Sequence, residues 1–130
     1  MGIIADLQPE DLLIKSDQGD LNFDIVCFVL RESGVTPMLS APATHYEPYW
    51  QVLRVIFKHS RAAGCWIPVS KKTLDGSWTP WNPDPTYERR EAQKKMVFFG
   101  LLERVGNKVK ISQKFIELYV GKLDKNTAEK

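Results

Sequence analysis

Apolar residues recur at helical spacing through much of the first half of the chain. Asn22 is suited to cap a helix over residues 23–33, and Gly34 is suited to end it. A second helix is predicted over 44–63, where apolar side chains return at helical intervals. Its buried face should hold Tyr49, Val52, Leu53, Ile56 and Phe57. The pattern therefore predicts two amphipathic helices before the middle of the chain.

Shorter elements are predicted around these two helices. Residues 9–14 form a short helical candidate, because proline suits a first helical position and the carboxylates that follow suit the positive end of a helix. The segment 44–47 matches a capping box at the start of the second helix. Residues 66–69 favour a short edge strand, since proline is excluded from central strands. Ser70 is suited to cap a brief helix over 71–74.

A loop rich in tryptophan and proline separates this region from a basic helix. Residues 77–85 (the Trp-Pro loop) hold two tryptophans and three prolines, and proline blocks both helix and central strand. A helix is predicted over 86–99, ended by Gly100. At about 100° per residue, its apolar side centres on Ala92, Met96 and Phe99. The opposite side collects Thr86, Arg89, Arg90, Gln93 and Lys94, with Val97 among them, so we expect a basic, amide-bearing outer face.

Residues 101–112 favour a β-hairpin, because two β-favouring runs flank a glycine-asparagine pair at 106–107. The turn predicts four cross-strand pairs: Val105 with Lys108, Arg104 with Val109, Glu103 with Lys110, and Leu102 with Ile111. One face of the hairpin would then be apolar, and opposite charges would meet in one pair on the other face. Ser112 is suited to cap a final helix whose inward face should hold Phe115, Leu118, Tyr119 and Lys122.

The predicted order is helix, short strand, short helix, loop, basic helix, hairpin and helix. This order, together with the passage from helix into hairpin over 99–112, resembles the winged helix-turn-helix family over residues 45–123. The resemblance implies an α+β, mostly helical fold, whose commonest use is docking on duplex DNA. One departure is the Trp-Pro loop, which is longer than the tight turn expected between the second and third helices.

Charge is divided unevenly along the chain. Residues 1–50 carry two basic and eight acidic side chains, whereas residues 51–130 carry 16 basic and eight acidic ones. Such asymmetry indicates a polyanion-facing half and an acidic half that shields it or meets another partner. The alternative is a scatter of charges over a solvated surface. We expect an acidic helical extension over 1–43, a winged-helix domain over 44–123 and a frayed tail over 124–130.

The family resemblance implies which side chains would contact DNA. The basic helix would present Arg89, Arg90, Gln93 and Lys94 to the major groove, and the hairpin would present Lys108 and Lys110 to a neighbouring groove or to phosphates. Arginine can bind guanine, and glutamine can bind adenine, through paired hydrogen bonds to the base edge. The alternative is a solvated helix face whose charges pair with one another, as Glu91 and Lys95 can at helical spacing.

Trp78 and Trp81 in the Trp-Pro loop permit three interpretations. They can fold back on the core, anchor a protein partner, or stack on unpaired bases. A contact with a protein partner through this loop, or through the acidic N-terminal half, supports a second hypothesis of a different class. The chain would then be a winged-helix protein-interaction module that binds no nucleic acid. A homodimer with paired basic helices would instead favour palindromic DNA.

The sequence offers little sign of catalytic, metal or cofactor chemistry. It lacks the motifs of hydrolases and phosphate-binding loops, so an enzyme and a bound cofactor are not expected. His45, His59, Cys27 and Cys65 lack the spacing of structural zinc ligands, and we expect both cysteines to be buried, reduced thiols. The longest apolar run, residues 25–30, is too short to span a bilayer. No secretion signal is recognised, so a cytoplasmic protein is expected.

Overall fold

The computed structural model describes residues 7–12, 20–37, 46–76 and 85–128. These ranges form a mostly helical α+β fold with five α-helices and one three-stranded antiparallel sheet. In chain order the elements are a 3-10 helix (Pro9–Leu12), α1 (Phe23–Glu32), α2 (Glu47–Ala63), β1 (Val69–Ser70), α3 (Lys71–Gly76), α4 (Pro85–Phe98), β2 (Leu102–Val105), β3 (Lys108–Ile111) and α5 (Gln113–Ala128).

Local capping accounts for the ends of α1. The Asn22 side chain accepts a hydrogen bond from the Ile25 amide at 3.0 Å, which satisfies one of the free donors of the first turn. At the other end, Gly34 takes a left-handed backbone with φ of 87°, a conformation that costs glycine little. The predicted start and stop of this helix are confirmed.

The predicted capping box at 44–47 is wrong. Helix α2 begins at Glu47 with Tyr46 at the N-cap, and no side chain caps it. The physical reason is Pro48, which is tolerated in the first helical turn because its missing amide hydrogen has no partner to lose there. A helix starting at Thr44, which lies outside the described residues, would place this proline deeper in the helix. Gly64 ends α2 at φ 78°, as predicted.

The hairpin has the predicted register at all four cross-strand pairs. Strand β1 adds to the far side of β3 through Val69 opposite Val109, which gives the sheet order β1-β3-β2. Leu102, Val109 and Ile111 are buried, and the polar residues of the opposite hairpin face are exposed or half-buried. Gly106 takes φ of 66° at the turn, which an L side chain would adopt only with strain.

Two serine caps start the helices that follow β1 and β3 in the chain. The Ser70 hydroxyl accepts from the Thr73 amide at 3.1 Å and starts α3. The Ser112 hydroxyl accepts from the Phe115 amide at 3.3 Å and starts α5. Both capping predictions are confirmed, and the backbone of α5 continues to Ala128.

Residues from the acidic N-terminal segment enter the same apolar core as the rest of the chain. The Tyr119 hydroxyl accepts from the Asn22 amide at 2.8 Å, and the Trp50 indole donates to the Leu21 carbonyl at 3.1 Å. Phe115 and Tyr119, one turn apart on α5, stack on each other at 5.6 Å between ring centroids, and both are fully buried in this core. Helix α1 therefore packs on α5 as part of one core.

The two cysteines differ in exposure. Cys27 is buried, and that burial raises the pKa of its thiol. Cys65 is exposed, so the expectation of two buried thiols is wrong for this residue. It follows Gly64 directly, where the chain leaves α2 at the surface before entering the sheet.

None of the helices in the described ranges combines the length and the apolar content needed to cross a membrane.

Cys65 should react with iodoacetamide in the folded protein, whereas Cys27 should react only after unfolding. A buried thiol with a raised pKa is both inaccessible and protonated, and the thiolate is the reactive form. Mass spectrometry after matched labelling times, with and without denaturant, measures modification at each site. Equal labelling of both cysteines under native conditions would contradict the burial of Cys27.

Ile111→Asp should cost about 3 kcal/mol or more of folding free energy, because it buries a carboxylate in an apolar site. Gly106→Val provides a control in the same hairpin, since the turn is exposed and only the positive φ is penalised. Its expected cost is about 1–2 kcal/mol. Urea unfolding followed by circular dichroism measures both, and similar losses would contradict the inward orientation of Ile111.

Candidate functional site

Helix α4 buries a stripe that is only half apolar. Arg89, Ala92, Gln93 and Met96 are all buried, and their spacing places them along one side of the helix. This stripe packs against α2. The buried face of α4 is therefore wider than the apolar pattern in the sequence predicted, because it also includes two polar side chains.

Arg89 does not lie on the outer face where it was expected. Its exposed fraction is 7%, so the prediction that it belongs to the outer face of the helix is wrong. Desolvation lowers the pKa of Arg89, while the carboxylates of Glu47 and Glu88 act in the opposite direction. An arginine stays charged even so. Its guanidinium therefore lies among acidic neighbours between α4 and α2, where it supports helix packing.

Gln93 is also placed inward, contrary to the sequence-based prediction. Only 4% of the residue is exposed. Its Oε1 atom is buried and has no hydrogen-bond donor among the described residues. Because leaving a buried acceptor unsatisfied costs free energy, this amide is a point where an added donor would be stabilising.

The other predicted contact residues of α4 do lie outside. Arg90 and Lys94 are exposed, and the Lys94 ammonium lies 3.4 Å from the Glu91 carboxylate in a surface ion pair. Exposed pairs of this kind contribute little to stability. On the hairpin, Lys108 is exposed and Lys110 is half-buried.

A cleft of about 580 Å³ lies between the outer side of α4, the start of α3 and the sheet. We call it the basic cleft. Its lining consists of four cationic residues, one carboxylate, one amide and two valines: Lys71, Arg90, Lys94, Arg104, Glu91, Gln93, Val97 and Val109. Within the described part of the chain, neither Lys71 nor Arg104 takes part in an ion pair. The cleft is therefore strongly positive.

Sequence reasoning missed Lys71 and Arg104 as members of this site. A signal for Arg104 was present, since the hairpin register pairs it with Val109 and makes it the one charged residue of the apolar face. No comparable signal existed for Lys71. Its position depends on β1 joining β3, a contact between segments far apart in the chain.

Trp78 and Trp81 lie outside the described residues. Among the residues that are described, no group of three or more histidine, cysteine or acidic side chains is arranged to hold a metal ion.

Comparison with protein-family models, with curated proteins and with solved structures found no match to this chain.

Arg89→Ala should destabilise the protein by about 2 kcal/mol or more, because it removes a buried side chain and leaves nearby carboxylates without their counter-charge. Arg90→Ala is the matched control on the neighbouring residue, and its effect should stay within about 0.5 kcal/mol. Urea unfolding of both variants tests the rotation of α4. A larger loss for Arg90→Ala would show that the helix is rotated the other way.

Proposed function

We propose that this chain is a winged-helix protein that binds duplex DNA through the exposed cations of α4 and of the β2–β3 hairpin. The basic cleft carries the proposal, since it brings the outer side of α4 and the hairpin to one positively charged surface. The observed order from α2 to α5 is the order on which the family resemblance was based. Phosphates attract such a surface whatever the base sequence.

The distribution of acidic partners favours α4 over α2 as the DNA-facing helix. Arg54 of α2 contacts Asp20 at 2.6 Å, and Arg61 contacts Glu10 at 2.9 Å. The acidic N-terminal segment thus neutralises part of α2. Among the described residues that line the basic cleft, by contrast, Glu91 is the one carboxylate beside four cationic residues.

The burial of Arg89 and Gln93 changes the expected kind of recognition. Of the three residues on α4 best suited to paired hydrogen bonds with bases, Arg89 and Gln93 are buried and Arg90 is exposed. Contacts with phosphates position a protein without reading sequence. We therefore expect the described residues to bind mainly the DNA backbone, with modest sequence preference.

A second candidate function is the protein-interaction module, and one observation favours it. Phe98 at the end of α4 is 81% exposed, with Phe99 as its ring neighbour at 5.0 Å. Among the described residues, Val105 at the end of β2 is the other exposed large hydrophobic residue. Exposed aromatic residues are frequent anchors of protein contacts. A partner with an apolar pocket would cover Phe98.

Duplex binding should be measurable at about 50 mM salt and weaken steeply toward about 200 mM, because counterions are released from the phosphates. With about four phosphate contacts, the slope of log affinity against log salt should be roughly −3 to −4. Arg90→Glu combined with Lys94→Glu should abolish binding without changing thermal unfolding. Fluorescence anisotropy with a labelled duplex measures the salt dependence of binding and the loss of binding in the variant.

Arg31→Glu combined with Lys58→Glu is the control, because it makes the same charge change at exposed residues outside the basic cleft. Binding that survives the α4 double reversal would exclude this surface. A wild-type monomer with no DNA retention at low salt would favour the protein-interaction module. A dimer that binds DNA would favour paired half-sites.

A further inference from the structure

The basic cleft is concave and is lined by both charged and apolar residues. A contact with the DNA backbone requires neither the concave shape nor the apolar residues. The cleft volume of about 580 Å³ falls within the range of roughly 300–1,000 Å³ typical of small-molecule sites. A duplex is far too wide to enter, so its phosphates could meet only the rim. The interior is thus available to a small ligand.

The charges of the basic cleft select an anion. Lys71 comes from the start of α3 and Arg104 from β2, so their approach to the α4 cations is imposed by the fold. Like charges held close together repel one another unless an anion lies between them. Arginine and lysine are the side chains that bind phosphate groups most strongly, through charge-assisted hydrogen bonds.

The uncharged residues that line the cleft favour a ligand in which the anion is attached to an organic group. Val97 is half-buried and provides apolar contact, and Gln93 contributes a side-chain amide whose Oε1 atom is buried and lacks a donor among the described residues. Small-ligand sites commonly combine apolar walls with a few polar groups that fix orientation. A nucleobase has flat apolar faces and N–H donors at its edge, and so matches both features.

We propose that the basic cleft binds a mononucleotide. Lys71 and Arg104, together with the α4 cations, hold the phosphate, while the base lies against Val97 with its polar edge toward the Gln93 side chain. Because Arg90 and Lys94 also serve the proposed duplex contact, the nucleotide and duplex DNA exclude one another. This exclusion rests on the proposed function, whereas nucleotide binding itself does not.

Titration of the full chain with adenosine monophosphate, adenosine and inorganic phosphate tests the site by calorimetry. The nucleotide should bind at least about tenfold more tightly than either fragment, since only the nucleotide uses both the cations and the apolar lining. Phosphate binding as tight as that of the nucleotide would overturn the proposal. So would the absence of nucleotide binding at millimolar concentration.

Variants assign the binding to the cleft. Lys71→Gln and Arg104→Gln should each weaken nucleotide affinity by about tenfold. Lys72→Gln is the matched control, because this exposed lysine is next in the chain and does not line the cleft. Equal affinity in Lys71→Gln, Arg104→Gln and Lys72→Gln would place the nucleotide elsewhere and overturn the proposal.

The proposal of duplex binding and the proposal of nucleotide binding can be tested independently. Lys108→Gln combined with Lys110→Gln should weaken duplex binding and leave nucleotide affinity unchanged, because neither lysine lines the cleft. Nucleotide binding without any duplex binding would remove the DNA function and keep the nucleotide site. Duplex binding that added nucleotide does not displace would overturn the exclusion.

Discussion

The packing of α4 against α2 is the constraint on which the candidate site depends. Four residues of α4 are buried along one side of the helix, and their burial fixes the rotation of the helix about its own axis. That rotation turns Arg89 inward and leaves Arg90 and Lys94 outside, although Arg89 and Arg90 are adjacent in the chain. Because a helix advances about 100° per residue, a rotation of that size would exchange their roles.

The three-stranded sheet provides the other wall of the site. Pairing of β1 with β3 brings the start of α3 to the hairpin, and Lys71 thereby lies across the basic cleft from α4. The same pairing covers the outer edge of β3. Two non-local contacts, α4 on α2 and β1 on β3, thus assemble one cationic surface from three separate segments.

Acidic and basic residues are distributed unevenly in the fold as well as along the sequence. The acidic N-terminal segment packs into the common core and places Asp20 and Glu10 against arginines of α2. Surface ion pairs of this kind add little to stability. Their consequence is electrostatic, because they reduce the positive potential on the α2 side and leave the basic cleft as the more strongly positive surface among the described residues.

The sequence by itself determined the features that depend on neighbours in the chain. The Asn22, Ser70 and Ser112 caps and the hairpin register each follow from interactions within a few residues. An exception is the start of α2, where the proline in the first turn outweighed an apparent capping box.

Only the tertiary structure decided which polar residues of α4 are buried, since the packing of α4 against α2 brings Arg89 near the Glu47 carboxylate. It also decided the exposure of Cys65 and the convergence of Lys71 with Arg104. These outcomes depend on contacts between distant segments, and spacing along a single chain contains no information about the partner surface.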